Sequence, residues 1–351
     1  MNGQSTQDRE DTVKHSALRK ISLALVALVV AAAASAALAK PAYHTDSAAV
    51  QKKVKVGLLL PCAINDHTWC QAAYSAAVRL QKEGAIDLKY TSNAPFDTAA
   101  VSQLMAQYAQ RGYQLVIGHS AWQDAAFSAA GRFPKTAFAY AGGGKVANNV
   151  ATYEEPIYQV AYLAGILAGG ITKTGVVGGL AGQDIPLCHA ELQAFIRGAK
   201  TVRSNVRGLS AYIGDWSDVA KAKEAALAQA DSKADVFIAC GDGPSQGMIQ
   251  ALKERKLSGF GYVGNQNSLA PKNMVGSLVY KLYPLFKLMV QDTAQGKFIP
   301  AKDYDVGLKS FQLVLNSKYS QAKVPAKVMA QMKSAQKRIA TGELKVPYIA
   351  K

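Results

Sequence analysis

The hydrophobic and polar positions of this chain repeat a pattern in which a short apolar run is followed by a longer amphipathic stretch. The first unit is VKVGLLLP, residues 54–61, and a helical pattern follows it from about Thr68 to Glu83. A short run of β-branched residues and leucines that stops at a proline is typical of a buried strand. The pattern therefore predicts a strand followed by a helix.

The same unit recurs over most of the chain. The further predicted strands and helices are, in order, DLKYTSN with DTAAVSQLMAQYAQRG, QLVIGHS with WQDAAFSAAGRF, TAFAYAG, KTGVVGGLAG with LCHAELQAFIRGAKTV, GLSAYIGDW with DVAKAKEAALAQADSKA, DVFIACGDG with SQGMIQALKER, and GFGYVGN. Strands that alternate with helices of this length favour parallel sheets covered on both faces. We therefore predict an α/β fold.

The N-terminal pattern differs from the rest. RKISLALVALVVAAAASAALA combines a basic lead, an apolar run and a small-residue end, which is typical of a secretory signal peptide over residues 1–39 cleaved after Ala39. An uncleaved anchor is the alternative. No cysteine follows the cleavage position, so a lipid anchor is not expected, and we predict export to the periplasm or the exterior.

Length and charge narrow the class of protein. The roughly 310 residues that follow the predicted signal peptide exceed the usual size of a single core and favour two lobes. The formal charge is +16, but the lysines are scattered and no nucleic-acid-binding motif accompanies them. We therefore expect no nucleic-acid partner.

The four cysteines, Cys62, Cys70, Cys188 and Cys240, lack the close paired spacing of a zinc site. Export permits disulfides, and Cys62 and Cys70 are near enough in sequence to bridge one loop. Free thiols are an equally good interpretation. We predict neither a metal nor a cofactor.

The predicted strand-to-helix loops contain all three tryptophans, Trp69, Trp122 and Trp216. Ligands of doubly wound sheets bind at these loops, beyond the carboxyl ends of the strands. Indole faces stack on flat rings, and Asp, Asn and Gln side chains can bind a ring's polar edge. The loops predict a site for a planar heterocycle, and its candidate residues are Trp69, Trp122, Trp216, Asp66, Asp124, Asp242 and Asn265.

Catalytic motifs are missing from the same loops. The sequence has no G-x-S-x-G elbow, P-loop, H-E-x-x-H pair or CxxC motif. His67, His119 and His189 lie near the predicted cleft, but none has a recognisable nucleophile beside it, so they are interpreted as rim histidines. We expect a binding protein, and a periplasmic hydrolase is the weaker alternative.

Several of these segments resemble the basic membrane protein family of ABC-transporter substrate-binding proteins, whose best-understood members are purine nucleoside receptors. The similar segments, spread over residues 54–349, are NDHTWCQAAYSA, YEEPIYQVAYLAGILAG, VVGGLAGQDIPLCHAELQAFIRGAK, YIGDWSDVAKAKEAA and IATGELKVP. Each segment is a weak signal alone, but their order along the chain makes the resemblance specific.

The resemblance implies a type I periplasmic binding fold, with two doubly wound parallel-sheet lobes joined by a hinge of three crossovers. Lobe one would comprise 53–152 and 268–309, and lobe two 153–267 and 310–351. The segment MVGSLVYKLYPLFKLMVQDTAQGKF would be a helix that returns to lobe one.

The resemblance also implies roles for individual residues. Trp69 and Trp216 match the two aromatic residues that sandwich the purine, and Asp124 matches an aspartate that binds the base edge. Two sugar-binding groups of the family are replaced here, an aspartate by Gly264 and a lysine by Tyr280, and the aspartate of the first strand falls near Leu60. Tyr280 is therefore a further candidate ligand residue, and loss of the sugar contacts favours a free base over a nucleoside.

The resulting hypothesis is a monomeric periplasmic protein that delivers a purine-like base or related heterocycle to the membrane permease of an ABC importer. A nucleoside-binding protein of the same family and a protein that presents its ligand to a sensor are the alternatives.

Overall fold

A computed structural model describes residues 53–153, 155–299 and 301–350. The predicted signal peptide, residues 1–39, and its cleavage after Ala39 lie outside the described residues. Within those ranges, every helix is too short or too polar to cross a membrane. The described chain forms two six-stranded sheets covered by helices.

The first sheet has the strand order β11-β5-β4-β3-β1-β2, and all its neighbouring strands are parallel. Its strands are β1 (Val54–Leu59), β2 (Ile86–Thr91), β3 (Leu115–Gly118), β4 (Ala137–Ala141), β5 (Val150–Tyr153) and β11 (Asp303–Tyr304). Its helices are α1 (Trp69–Lys82), α2 (Thr98–Gln110), α3 (Gln123–Ala130) and α8 (Tyr283–Ala294). We call this sheet with its helices lobe one.

The second sheet has the order β12-β10-β9-β8-β6-β7, and only the β10–β12 pair is antiparallel. Its strands are β6 (Val176–Ala181), β7 (Arg207–Tyr212), β8 (Val236–Cys240), β9 (Ser258–Gly261), β10 (Met274–Tyr280) and β12 (Phe311–Leu315). Its helices are α4 (Ile157–Ile171), α5 (Pro186–Lys200), α6 (Val219–Asp231), α7 (Asp242–Arg255), α9 (Ser317–Lys323) and α10 (Ala326–Ala340), with a 3₁₀ turn at Gly307–Lys309. We call this part lobe two.

The local sequence explains these elements. Most residues of β1 are buried, as expected for a parallel strand covered by helices on both faces. Helices α4 and α5 approach backbone to backbone because Gly165, Gly169 and Gly198 lie where any side chain would collide with the opposite helix. The predicted α/β class with two parallel-sheet lobes is confirmed.

The segment predicted as one helix from 274 to 298 is instead a strand followed by a helix. Met274–Tyr280 is entirely buried and pairs with β9 and β12, whereas α8 begins at Tyr283 with Pro284 in its first turn. Proline is common in the first turn of a helix, because the N–H that it lacks would have no partner within the helix there. Strand β10, expected in lobe one, therefore lies in the second sheet, and we propose that the middle crossover lies near residue 281 instead of 268.

Candidate ligand-binding site

Both sheets reverse their strand order at one place, between β1 and β3 in lobe one and between β6 and β8 in lobe two. A crevice forms at such a switch point, outside the carboxyl ends of the strands. The loops that follow β1, β3, β6 and β8 lie there. These loops and the first turns of the helices after them contain five of the candidate residues, Asp66, Trp69, Trp122, Asp124 and Asp242.

The loop after β1 is organised by Asp66. Its carboxylate accepts hydrogen bonds from the backbone N–H groups of Thr68 (3.0 Å), Cys70 (2.8 Å) and Gln71 (3.0 Å). These N–H groups lie at the start of α1, where no partner within the helix is available to them. Asp66 was predicted as a ligand residue, but its carboxylate is used to cap α1 and position Trp69.

The four cysteines form two disulfides, one in each lobe. Cys62 in the loop after β1 is bonded to Cys70 in the first turn of α1, and Cys188 in α5 is bonded to Cys240 at the end of β8. Cys62, Asp66 and Cys70 lie close enough together to resemble a metal site. Since both sulfurs are in the disulfide, neither is available as a thiolate ligand.

Trp69, the first residue of α1, stacks on His119, which follows β3. Their ring centroids are 4.1 Å apart with an angle of 14° between the planes, and the Trp69 indole N–H donates to the His119 backbone carbonyl at 2.9 Å. The Tyr280 ring lies 5.8 Å from the indole at a tilt of 40°. His119 thus covers one face of the indole and fixes its plane, while Trp69 as a whole remains partly exposed.

His119 is fully buried and uncharged. Burial lowers its pKa to about 3. Its Nε2 lies 3.1 Å from the Trp69 carbonyl oxygen, which can only accept, so Nε2 carries the proton. Its Nδ1 then accepts from the Tyr153 hydroxyl at 2.7 Å. The sequence indicated only a rim histidine here, whereas His119 is buried and supports the Trp69 indole by stacking on one of its faces.

Trp216, in the loop after β7, lies over two glycines at the carboxyl ends of β6 and β8. A side chain at Gly182 would come within 2.5 Å of the indole carbon Cε3, and one at Gly241 within 3.1 Å. The Gly243 N–H donates to the Trp216 carbonyl at 2.8 Å. The indole is partly exposed. Although its loop follows the edge strand β7, the Trp216 ring therefore lies over the switch point between β6 and β8.

Asp242, the first residue of α7, links the two lobes. Burial raises its pKa to about 6, the Thr68 hydroxyl and the Trp69 backbone N–H counteract this shift, and the charge of Asp66 adds to it. Its Oδ1 has no hydrogen-bond partner among the described residues. Gly264 also lies at this contact, because a side chain there would collide with the His67 carbonyl oxygen.

The remaining predicted ligand residues differ from one another in burial and in contacts. Trp122 is 5 % exposed and packs in a core cluster of lobe one, with its indole N–H unpartnered in the described chain. Asp124 is exposed in the first turn of α3, and Asn265 is exposed with its side-chain oxygen accepting from the Asn267 N–H at 3.3 Å. Tyr280 is buried and stacks on Phe311 at 4.2 Å.

Sequence reasoning did not identify two further acidic residues at the end of lobe two where Asp242 lies. Glu155 is 6 % exposed between β5 and α4, and Glu191 is 0 % exposed in α5. A signal was present for Glu191, because it occupies one of the buried positions of an amphipathic helix, between Cys188 and Leu192. A charged residue in such a stripe is rare unless it is paired.

Comparison with protein families and curated proteins agrees with the resemblance seen in the sequence. The family model described as "ABC transporter substrate-binding protein PnrA-like" matches residues 53–349. A transcriptional activator protein of Bacillus subtilis is 25% identical over 69% of this chain and 75% of its own length. A purine-binding protein of Brucella abortus is 24% identical (68% and 69%), and a nucleoside-binding ABC transporter protein of Lactococcus lactis is 29% identical (65% and 68%).

Solved structures agree with the fold. An ABC transporter solute-binding protein from Conexibacter woesei superposes with a TM-score of 0.69 at 23% identity, covering 84% of this chain and 99% of that one. At this identity the likeness supports the two-lobe architecture and says nothing about the ligand.

Proposed function

Because the chain belongs to the PnrA-like family of ABC transporter substrate-binding proteins, we propose that it binds a purine-type base between its lobes and presents it to the permease of an importer. The observation that carries this proposal is the placement of Trp69 and Trp216 at the switch points of the two sheets, each partly exposed. In this proposal the base stacks on the face of Trp69 opposite His119 and on Trp216, and stacking on indoles contributes about 1 to 3 kcal/mol per base.

Ligand binding would couple directly to the approach of the lobes. Trp69 comes from lobe one and Trp216 from lobe two, so a ring held by both indoles favours the arrangement in which Asp242 lies beside Thr68 and Trp69. A permease that recognises this arrangement distinguishes loaded from unloaded protein by the relative population of the two states. Family membership supports a binding role without catalysis and a location outside the cytoplasm.

A free base fits the surroundings of Gly264 and Tyr280 better than a nucleoside. Gly264 packs against the His67 carbonyl with no room for a side chain, and Tyr280 is buried against Phe311. Neither position can provide the charge-assisted hydrogen bonds that a ribose would need in the resembled receptors. The nucleoside-binding relative from Lactococcus lactis supports the alternative that a nucleoside is bound.

Two experiments test this proposal. Native mass spectrometry of protein isolated from its own cells should show bound material with the mass of a purine base. Calorimetry should then give at least about tenfold tighter binding of a base than of its nucleoside, a difference of about 1.4 kcal/mol. Tighter binding of every nucleoside would favour the alternative, and a copurified sugar or amino acid would contradict both.

A further inference from the structure

Two buried carboxyl groups, Glu155 and Glu191, and the partly exposed Asp242 lie at the cleft end of lobe two. The disulfide between Cys188 and Cys240 joins the first turn of α5 to the end of β8, and so brings the helix that carries Glu191 close to Asp242. Glu155 precedes α4, Glu191 lies in the second turn of α5, and Asp242 begins α7. Burial raises the pKa of Tyr262, and the negative charges of Glu191, Asp242 and Glu155 raise it further, in that order. Elements distant in sequence therefore bring these acids within electrostatic range of one ring.

Glu191 is the unusual member of this group. The residue is fully buried, and neither carboxyl oxygen has a hydrogen-bond partner among the described residues. Burial and the charge of Glu155 raise its pKa well above the usual range, and among the described residues no lysine or arginine counteracts this shift. An unpaired buried carboxyl costs several kcal/mol, so a position with a purely structural role would be expected to carry an apolar residue.

The arrangement does not suit a metal ion. Among the described residues, the only closely spaced group of metal-ligand side chains is Cys62, Asp66 and Cys70. The three carboxyl groups around Tyr262 are thus too widely spaced to surround one ion. They can instead accept hydrogen bonds from different atoms of a larger ligand.

We propose that Glu191, together with the unpartnered Oδ1 of Asp242, forms an acidic subsite that binds the nitrogen-rich edge of the ligand ring. Burial favours the protonated form of Glu191 when no ligand is bound. Two N–H groups on one ring edge favour its carboxylate instead, because the carboxylate accepts two parallel hydrogen bonds from them. Guanine presents such an edge as a neutral base, and an amidinium presents it with a positive charge. This inference rests on the proposed function, since it specifies which planar rings the cleft between Trp69 and Trp216 takes.

The test compares guanine with hypoxanthine, which lacks only the 2-amino group, by equilibrium dialysis against the full mature protein. The wild type should bind guanine about tenfold or more tightly than hypoxanthine, because a site built for an N–H donor rejects the analogue without it. In Glu191→Gln the amide keeps one acceptor, so guanine should lose that advantage while hypoxanthine affinity stays within about threefold. Glu224→Gln, on the exposed face of α6, is the matched control and should behave as the wild type.

Equal binding of guanine and hypoxanthine by the wild type would overturn the subsite, as would a Glu191→Gln variant that keeps the preference for guanine. Glu191→Gln should also melt at the same or a higher temperature without ligand, because it removes an unpaired buried acid. A lower melting temperature would show that Glu191 is structural and would contradict the inference.

Measuring benzamidine binding distinguishes failure of the acidic subsite from failure of the proposed purine-binding function. If neither base binds, the purine proposal fails, and the subsite is then decided by this amidinium alone. Benzamidine binding that weakens about tenfold in Glu191→Gln would support the subsite. Absence of benzamidine binding to the wild type, in that case, would overturn it.

Discussion

Trp69 is held in one orientation before any ligand arrives. Its indole N–H is bonded to the His119 carbonyl, its ring lies on the His119 imidazole, and Asp66 caps the helix that it begins. Preorganised aromatic groups lose less conformational freedom on binding than mobile ones. At this scale the sequence was only partly informative, since an aspartate near a helix start can bind a ligand or cap the helix with the same chemistry.

Replacing either indole should therefore weaken ligand binding without unfolding the protein. Trp69→Ala and Trp216→Ala should each reduce the affinity for the best purine base by about 1 to 3 kcal/mol, as loss of a stacking partner does elsewhere. Calorimetry checks the affinity and a melting curve checks the fold. Trp122→Phe is the matched control, because Trp122 lies in the lobe-one core, so it should lower stability more than affinity.

If Trp69→Ala or Trp216→Ala unfolded the protein in the absence of ligand, the residue would be a core residue. An affinity loss confined to Trp122→Phe would place the ligand on the other side of the first sheet.

His119 should make the folded state sensitive to acid. Its folded pKa of about 3 lies below the ordinary histidine value of 6.5, because burial opposes the charged form. Below pH 6.5 His119 therefore binds a proton in the unfolded state but not in the folded state. As a result, the free energy of unfolding falls as the pH decreases toward 3. Chemical denaturation of the wild type and His119→Gln between pH 7 and 4 measures this. The two stability curves should approach each other as the pH falls, and parallel curves would contradict the buried neutral histidine.

At the scale of the elements, the strand-helix units were predictable because each apolar run is short and is followed by a helical period. The helix predicted from Thr68 to Glu83 is observed at Trp69–Lys82. The region around β10 was not predictable in the same way, since MVGSLVY and the helix after it form one nearly continuous apolar stretch. MVGSLVY forms a strand because it pairs with β9 and β12. These partners are distant in sequence, so the local hydrophobic pattern does not predict the pairing.

Gly264 tests whether the contact between the loops of the two lobes matters for binding. In Gly264→Ala the added methyl group would collide with the His67 carbonyl, so the lobes could not approach as they do here. Purine affinity should fall by about tenfold or more, roughly 1.4 kcal/mol. Gly131→Ala is the control, because its new methyl group would meet only ordinary contacts beginning at 3.7 Å. Unchanged affinity in Gly264→Ala would show that binding does not require this contact.

For the whole molecule, the sequence indicated parallel sheets, and the resemblance to a family supplied their division into two lobes. Which loops of the two lobes contact each other could not be predicted from the sequence. Asp242 beside Thr68, and Gly264 against His67, are contacts between segments about 170 to 200 residues apart. Such contacts follow from the packing of two complete sheets, and they decide which loop residues share one site.

The most direct test of the central claim is titration of intrinsic tryptophan fluorescence in the purified protein with adenine, guanine, hypoxanthine and xanthine, alongside D-glucose and L-leucine. Stacking on Trp69 and Trp216 predicts saturable quenching by at least one purine base. The same base, at about a hundred times its dissociation constant, should stabilise the fold by about 2.7 kcal/mol. A response to glucose or leucine, with none to any purine, would contradict the account.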